Sequence, residues 1–315
     1  MDSVLSRYPL EERFNSSKVV SYAVDRWHYS LHISALYVLG VFALRRYMST
    51  RERFNLRLPL FMWSLTLALF SILGSAVTAP VMLQTLLHHG WEGSICRDIF
   101  TAGQPGLWTF LFCFSKFPEL VDTLFIVLRK QKLIFLHWYH HVTVFVYCWY
   151  HYAVQLHPAQ WFITLNFLVH SIMYSYYALR ASGRIRPPLW VNMFITFLQL
   201  LQMVVGVSIN VFVYQQMTAD PTWHCDGQVE TSYFYVYWSF AMYFSYFVLF
   251  AHFFWCAYFC KSPPSSVKRT VVQANGDVIK KKFTFTNGHI PNGSPSHCNG
   301  ITRRSYLANA NNLSH

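Results

Sequence analysis

Seven stretches of this chain are apolar for long enough to cross a bilayer, and several carry ionisable residues at helical spacing within that apolar background. They cover roughly residues 30–47, 58–79, 107–128, 133–152, 159–179, 189–213 and 233–259, the first being the least distinct. The pattern predicts an all-α polytopic membrane protein of seven transmembrane helices. No short apolar run with a small-residue cleavage site precedes the first stretch, so no removable signal peptide is expected. After Cys260 the sequence turns to Ser, Pro, Asn, Gly and Lys without an apolar period, which predicts a disordered tail. The expected organisation is a segment 1–29, a membrane domain 30–260 and a basic tail 261–315.

Composition agrees with the pattern. Of the 315 residues 54% are hydrophobic and only 12% charged, a balance that excludes an ordinary soluble domain. Lys and Arg fall unevenly: nineteen lie in the loops around 45–57, 129–132 and 180–186 and in the tail, against five on the opposite side. The positive-inside bias therefore places the N-terminus in the lumen or outside and the tail in the cytosol. The formal charge of +12 is thus concentrated on one membrane face, where topology alone can explain it, although it also suits anionic headgroups or an anionic substrate. No nucleic-acid motif is present. The sequon at Asn15 is usable on the lumenal side, whereas those at Asn292 and Asn312 fall in the cytosol.

Candidate chemistry is concentrated within the spans. In the fourth, His137, His140 and His141 stand at i, i+3 and i+4 and share one arc of a helix. In the third, Lys116, Glu119, Asp122 and Thr123 share about 120° of arc, with Pro118 placed to kink the helix. The fifth carries Asn166 and His170, then Met173, Tyr174, Tyr176 and Tyr177; the sixth carries Thr196, Gln199 and Gln202 on one face. Each set has a plainer reading: a packing ion pair, a hydrogen-bonded histidine, interfacial tyrosines, interhelical glue. Ionisable groups at membrane depth nevertheless cost several kcal/mol unless paired or facing a polar cavity, which favours function for the histidines and the three-charge face. At 1.5 Å per residue, Asp122 and His140 lie roughly 10 Å, and His170 and Gln199 roughly 15 Å, from the cytosolic ends of their spans. The lumenal halves, such as 142–149 and 204–213, are largely apolar, which suits a greasy pocket closed at its far end.

Of the seven cysteines, Cys113, Cys148, Cys256 and Cys260 lie in or against spans and Cys298 in the tail. Cys96 and Cys225 occupy two lumenal loops, so a disulfide and two separate thiols both remain open.

The four motifs, Lys116-x-x-Glu119-x-x-Asp122-Thr123, His137-x-x-His140-His141, His170-x-x-Met173-Tyr174-x-Tyr176-Tyr177 and Thr196-x-x-Gln199-x-x-Gln202, taken in order, resemble those of the very-long-chain fatty acid elongase (ELO) family over roughly residues 25–262. His-Trp-Tyr-His-His and the Ala-Leu-Arg after the tyrosine pair are similar to the branch acting on saturated and monounsaturated acyl-CoAs. The resemblance implies a multi-pass endoplasmic-reticulum enzyme, with spans two to seven in a ring around an acyl tunnel, that condenses a long-chain acyl-CoA with malonyl-CoA. The products would be 3-oxoacyl-CoA, CoA and carbon dioxide, without metal or other cofactor. It also brings the loops carrying Cys96 and Cys225 together. His140 is the favoured nucleophile, with His137 and His141 orienting it or moving protons. His170, with Asn166, would meet the thioester oxygen or the developing enolate. Asp122 and Glu119 are placed to fix tautomers, Lys116 to balance their charge or meet the malonyl carboxylate. The tyrosines, Gln199 and Gln202 are expected to line the substrate site, and Arg129, Lys130, Lys132, Arg180, Arg184 and Arg186 to hold the CoA phosphates. Membrane lipid, a second copy of the chain and other elongation-cycle enzymes are the expected partners.

Two rival readings share parts of this pattern. A membrane di-iron desaturase or hydroxylase also uses His-x-x-His-His, but needs several such boxes on one face, and the only similar spacing, His28-x-x-x-His32, lies at the opposite side. A seven-span receptor shares the topology, yet gives no reason for histidines and carboxylates at one depth.

Overall fold

The computed structural model describes residues 16–185, 187–225 and 233–259. Asn15, Arg186, Cys260 and the tail 261–315 lie outside the described residues. Those described form nine helices and no strand: α1 (Ser16–Arg26), α2 (Tyr29–Met48), α3 (Arg57–Cys96), α4 (Gly103–Glu119), α5 (Val121–Leu128), α6 (Phe135–Val154), α7 (Ala159–Ser182), α8 (Leu189–Ala219) and α9 (Tyr233–Tyr258).

Two of the expected spans differ from their apolar pattern. The second is expected to end near residue 79, but α3 continues through Pro80, because Met82 and Thr85 beyond it are buried against neighbours. It breaks instead at Gly90, whose φ of 70° and ψ of −168° only glycine adopts without strain. The third span is two helices. Pro118 has no N–H to give the ladder, Leu120 bonds back to Phe117 at 3.2 Å and Thr123 to Leu120 at 3.3 Å, and this tightened turn separates α4 from α5.

Three helices, α3, α8 and α9, are long and apolar enough to cross a membrane on length and composition, or four if α1 and α2, bent by 58° at their junction, form one span. The apolar pattern predicts seven. The remainder fall short for a physical reason: α4 and α5 are each short, while α6 and α7, of 20 and 24 residues, are diluted by the histidines, asparagine and tyrosines of the motifs. Leu73, Leu87, Phe197, Phe244 and Val248 stand exposed on the outer faces of α3, α8 and α9. So much outward apolar surface fits a lipid environment and not water.

Six helices pack around a closed circuit, α3 against α4, α4 against α6, α6 against α9, α9 against α8, α8 against α7 and α7 back along α3. The α1 and α2 pair lies against α6, with α2 also touching α5. Antiparallel pairing of α3 and α7 is pinned at both ends. At one, Arg57 donates to the carbonyls of Ala181 and Ser182 at 3.0 and 2.7 Å; at the other, Gln160 donates to those of Ser94 and Ile95 at 2.7 and 3.2 Å. A disulfide joins Cys96 to Cys225, so the end of α3 is tied to the segment after α8. Around it Ile95, Tyr147, Phe162, Ile209, Val213, Tyr243 and Tyr246 form the largest apolar cluster. Packing of α8 on α9 is close enough that a methyl group at Gly206 would overlap the Tyr243 ring, which is why this position has no side chain.

Candidate active site

Within the circuit lie two cavities that meet at a narrow waist. The larger opens where α5 and α7 end and α6 and α8 begin, and the smaller runs toward the disulfide end. His140, Asn166, Gln202 and Met203 line both. The i, i+3, i+4 arc of α6 delivers the three histidines to this region, but the tertiary structure treats them differently. His137 Nε2 is hydrogen-bonded to Thr123 Oγ1 at 2.9 Å, and Thr123 to the Tyr37 hydroxyl of α2 at 2.6 Å. His141 is buried with its ring centroid 4.5 Å from that of His137. His140 is half-buried at the waist, its ring beside Tyr246 at 5.0 Å, and neither of its nitrogens bonds to a described residue.

His170 is presented from α7 by a relay that determines its tautomer. The Lys116 ammonium, only 2% exposed, is paired with Glu119 at 2.7 and 3.0 Å and donates to Asn166 Oδ1 at 3.0 Å. An ammonium cannot accept, so the amide must turn its oxygen to Lys116 and its NH₂ to His170 Nε2, 3.2 Å away. His170 Nε2 is therefore the acceptor, and the proton of the neutral ring sits on Nδ1. Asp122 accepts from Trp63 Nε1 of α3 and from the Tyr174 hydroxyl, each at 2.6 Å, one donor on each oxygen of an acidic group in the wall of the larger cavity. Arg129, Lys132 and Arg180 line this cavity near its mouth.

Comparison with known proteins decides what this arrangement belongs to. The profile of the ELO: GNS1/SUR4 family matches residues 22–266. The chain belongs to the ELO family. It is 46% identical over 259 residues to very long chain fatty acid elongase 6 of Gallus gallus, covering 82% of this chain and 95% of the relative. The Homo sapiens protein of that name is 44% identical over 258 residues, or 82% and 94% of the two chains. Very long chain fatty acid elongase 3 of Homo sapiens is 41% identical over 219 residues, 69% of this chain and 78% of its own.

Set against the ELO motifs, the structure brings Asp122, His137, His140, His141, Asn166, His170, Tyr174, Tyr176, Tyr177, Gln199 and Gln202 into contact with one cavity or both. It moves others away. Lys116 and Glu119 line neither cavity; they form a buried pair behind Asn166, so Lys116 does not reach a malonyl carboxylate from there. Neither Glu119, held by Ser115 and Lys116, nor Asp122 bonds to a histidine, so neither carboxylate fixes a tautomer by contact; Asn166 does that for His170. Lys130, at a φ of 54°, donates to the carbonyls of Ser49 and Arg51 beyond the end of α2 and does not line the cavity. Sequence motifs do not single out Trp63, Thr143 and Tyr246, which support the site from α3, α6 and α9. Trp63 and Tyr246 sit in apolar runs without a polar motif, so only packing reveals them. Among the described residues no three His, Cys, Asp or Glu side chains are arranged to hold a metal ion.

Proposed function

We propose that this chain is the condensing enzyme of fatty acid elongation, joining a long-chain acyl-CoA to malonyl-CoA to give 3-oxoacyl-CoA, CoA and carbon dioxide. The observation that carries the reading is His140: of the three clustered histidines it alone faces both cavities, with its ring nitrogens uncommitted at the waist. An imidazole so placed attacks the thioester carbonyl, releases CoA and holds the acyl group as an acyl-imidazole, dividing one difficult displacement into two easier ones. Malonyl-CoA then enters the larger cavity, its decarboxylation leaves an enolate carbon, and that carbon attacks the acyl-imidazole and frees His140. The Nδ1 proton of His170, directed by Asn166 and Lys116, is suited to the thioester or enolate oxygen. His137 and His141 orient the cluster, with Thr123 and Tyr37 holding His137.

The acyl chain lies along the smaller cavity, and CoA stays at the mouth of the larger one. In the membrane we place seven spans: α1 with α2, α3, α4 with α5, and α6 to α9, the last six forming the ring around the acyl tunnel. The N-terminus, with the Asn15 sequon, is then lumenal, the tail cytosolic, and the compartment the endoplasmic reticulum.

Purified protein given palmitoyl-CoA and labelled malonyl-CoA is expected to form labelled 3-oxoacyl-CoA with release of carbon dioxide, and absence of that product overturns the reading. Neutralising Arg129, Lys132 and Arg180 together should raise the apparent KM for both CoA substrates by about tenfold or more with less effect on kcat, because a handle held at the mouth is bound alike in ground and transition states. Lys130→Gln should leave both KM values near wild type, since its ammonium is directed to the carbonyls of Ser49 and Arg51 just after α2. Measuring the two variants side by side separates phosphate binding from topology.

A further inference from the structure

The far end of the smaller cavity is not the apolar cul-de-sac that the sequence of the spans suggests. From the waist, His140, Val144, Tyr147 and His151 form one stripe along α6, spaced i, i+4, i+7 and i+11, and all four line the cavity. Eleven residues are three full helical turns, so His151 faces as His140 does and stands about 16 Å further along. Between them the walls are apolar, with Phe112, Phe162, Ile163 and Met242. At the end Gln155, Gln160 and Thr101 join His151.

His151 is 4% exposed, packed against Tyr147 with ring centroids 3.7 Å apart and tilted by 39°, and neither of its ring nitrogens has a hydrogen-bond partner among the described residues. The Tyr147 hydroxyl is already bonded to Ser239 Oγ at 2.8 Å and does not serve it. A neutral imidazole left in this state forgoes one donor and one acceptor, a cost of about 1–3 kcal/mol for each. Burial without any partner is rare in folded proteins, and this ring is part of the cavity wall.

We propose that the distal chamber is a binding site for a hydrogen-bonding chain end, and that it accepts acyl-CoAs bearing a terminal hydroxyl through His151. A hydroxyl both donates and accepts, as the neutral ring does. A carboxylate would enter as a buried charge with no cation in the cavity wall to meet it, and is not expected. Extended hydrocarbon advances about 1.3 Å per carbon given bonds of about 1.5 Å, so roughly 13 carbons beyond His140 reach His151. Acyl groups near myristoyl in length present their end to it, and octanoyl does not.

This inference rests on the acyl chain occupying the smaller cavity, and the test separates the two. Purified full-length protein is assayed with malonyl-CoA and four acyl-CoAs: myristoyl, ω-hydroxymyristoyl, octanoyl and ω-hydroxyoctanoyl. The quantity read is the ratio of kcat/KM for the hydroxylated and plain member of each pair. For wild type the myristoyl ratio is expected within about threefold of unity; for His151→Phe it should fall about tenfold, and His151→Gln, which keeps a donor and an acceptor, should restore it. The octanoyl ratio should respond to neither substitution. A wild-type myristoyl ratio below one hundredth, or equal loss for both members in His151→Phe, would overturn the proposal and leave water as the occupant of the chamber. Failure of all four substrates to condense would instead refute the activity itself.

Discussion

His140→Ala is expected to lower condensation by at least about a thousandfold, because in the proposed scheme it removes the group that forms the covalent intermediate and nothing else at the waist can replace it. Accumulation of acyl-enzyme on incubation with acyl-CoA alone should vanish together with turnover. The fold should survive. Neither ring nitrogen bonds to a described residue, and the substitution removes only the packing of the ring against Tyr246, His141 and Phe250, which stabilises by about 1 kcal/mol. Thermal unfolding and gel-filtration behaviour therefore stay close to wild type while labelled product disappears. A variant that still transfers label at a wild-type rate would rule out the acyl-imidazole scheme. His170→Ala offers the complementary measurement: acyl-enzyme still forms from acyl-CoA alone, but release of carbon dioxide from malonyl-CoA slows, since the oxygen on which charge develops has lost its donor.

The second large effect is one of stability and divides the Lys116 pair from the chemistry. Glu119→Ala leaves an ammonium that is 2% exposed with only Asn166 Oδ1 and the face of Phe112, 4.2 Å away, as counterparts. Breaking one side of a buried ion pair costs about 3–5 kcal/mol, enough to lower the unfolding temperature by several degrees in a thermal-shift measurement in detergent. The double variant Lys116→Met/Glu119→Leu should recover most of that stability, because replacing both partners by apolar groups removes the desolvation cost along with the attraction. It should not recover activity. Without the ammonium to hold its oxygen, the Asn166 amide is free to turn over, and the fixed tautomer of His170 is lost. Equal recovery of stability and turnover would mean that the pair is packing alone.

Much of the site was legible because a helix repeats every 3.6 residues. The arc of His137, His140 and His141, the pairing of Asn166 with His170 at i+4 and the face shared by Thr196, Gln199 and Gln202 follow from spacing on a single element, and the long helices of the ring follow from apolar length. What spacing within one helix cannot supply is the identity of the neighbour. Lys116, Glu119 and Asp122 share one arc in sequence, yet the break at Leu120 lets α7 take the first pair into its core through Asn166 while Asp122 turns to Trp63 and Tyr174. Arg129 and Lys130 are adjacent in a basic loop, yet the left-handed backbone at Lys130 directs its ammonium to the carbonyls just after α2 and leaves Arg129 in the cavity wall.

The sequence by itself therefore determined the helical class, the helix faces that carry chemistry and, through its ordered motifs, the family. Tertiary structure decided which histidine faces both cavities, which charges are spent on packing and that the far end of the smaller cavity is polar. The physical reason is common to all three. Burial and hydrogen-bond partnership are properties of the packing between helices, and that packing is made by residues such as Trp63, Tyr147 and Tyr246 whose positions in an apolar run look like ordinary core.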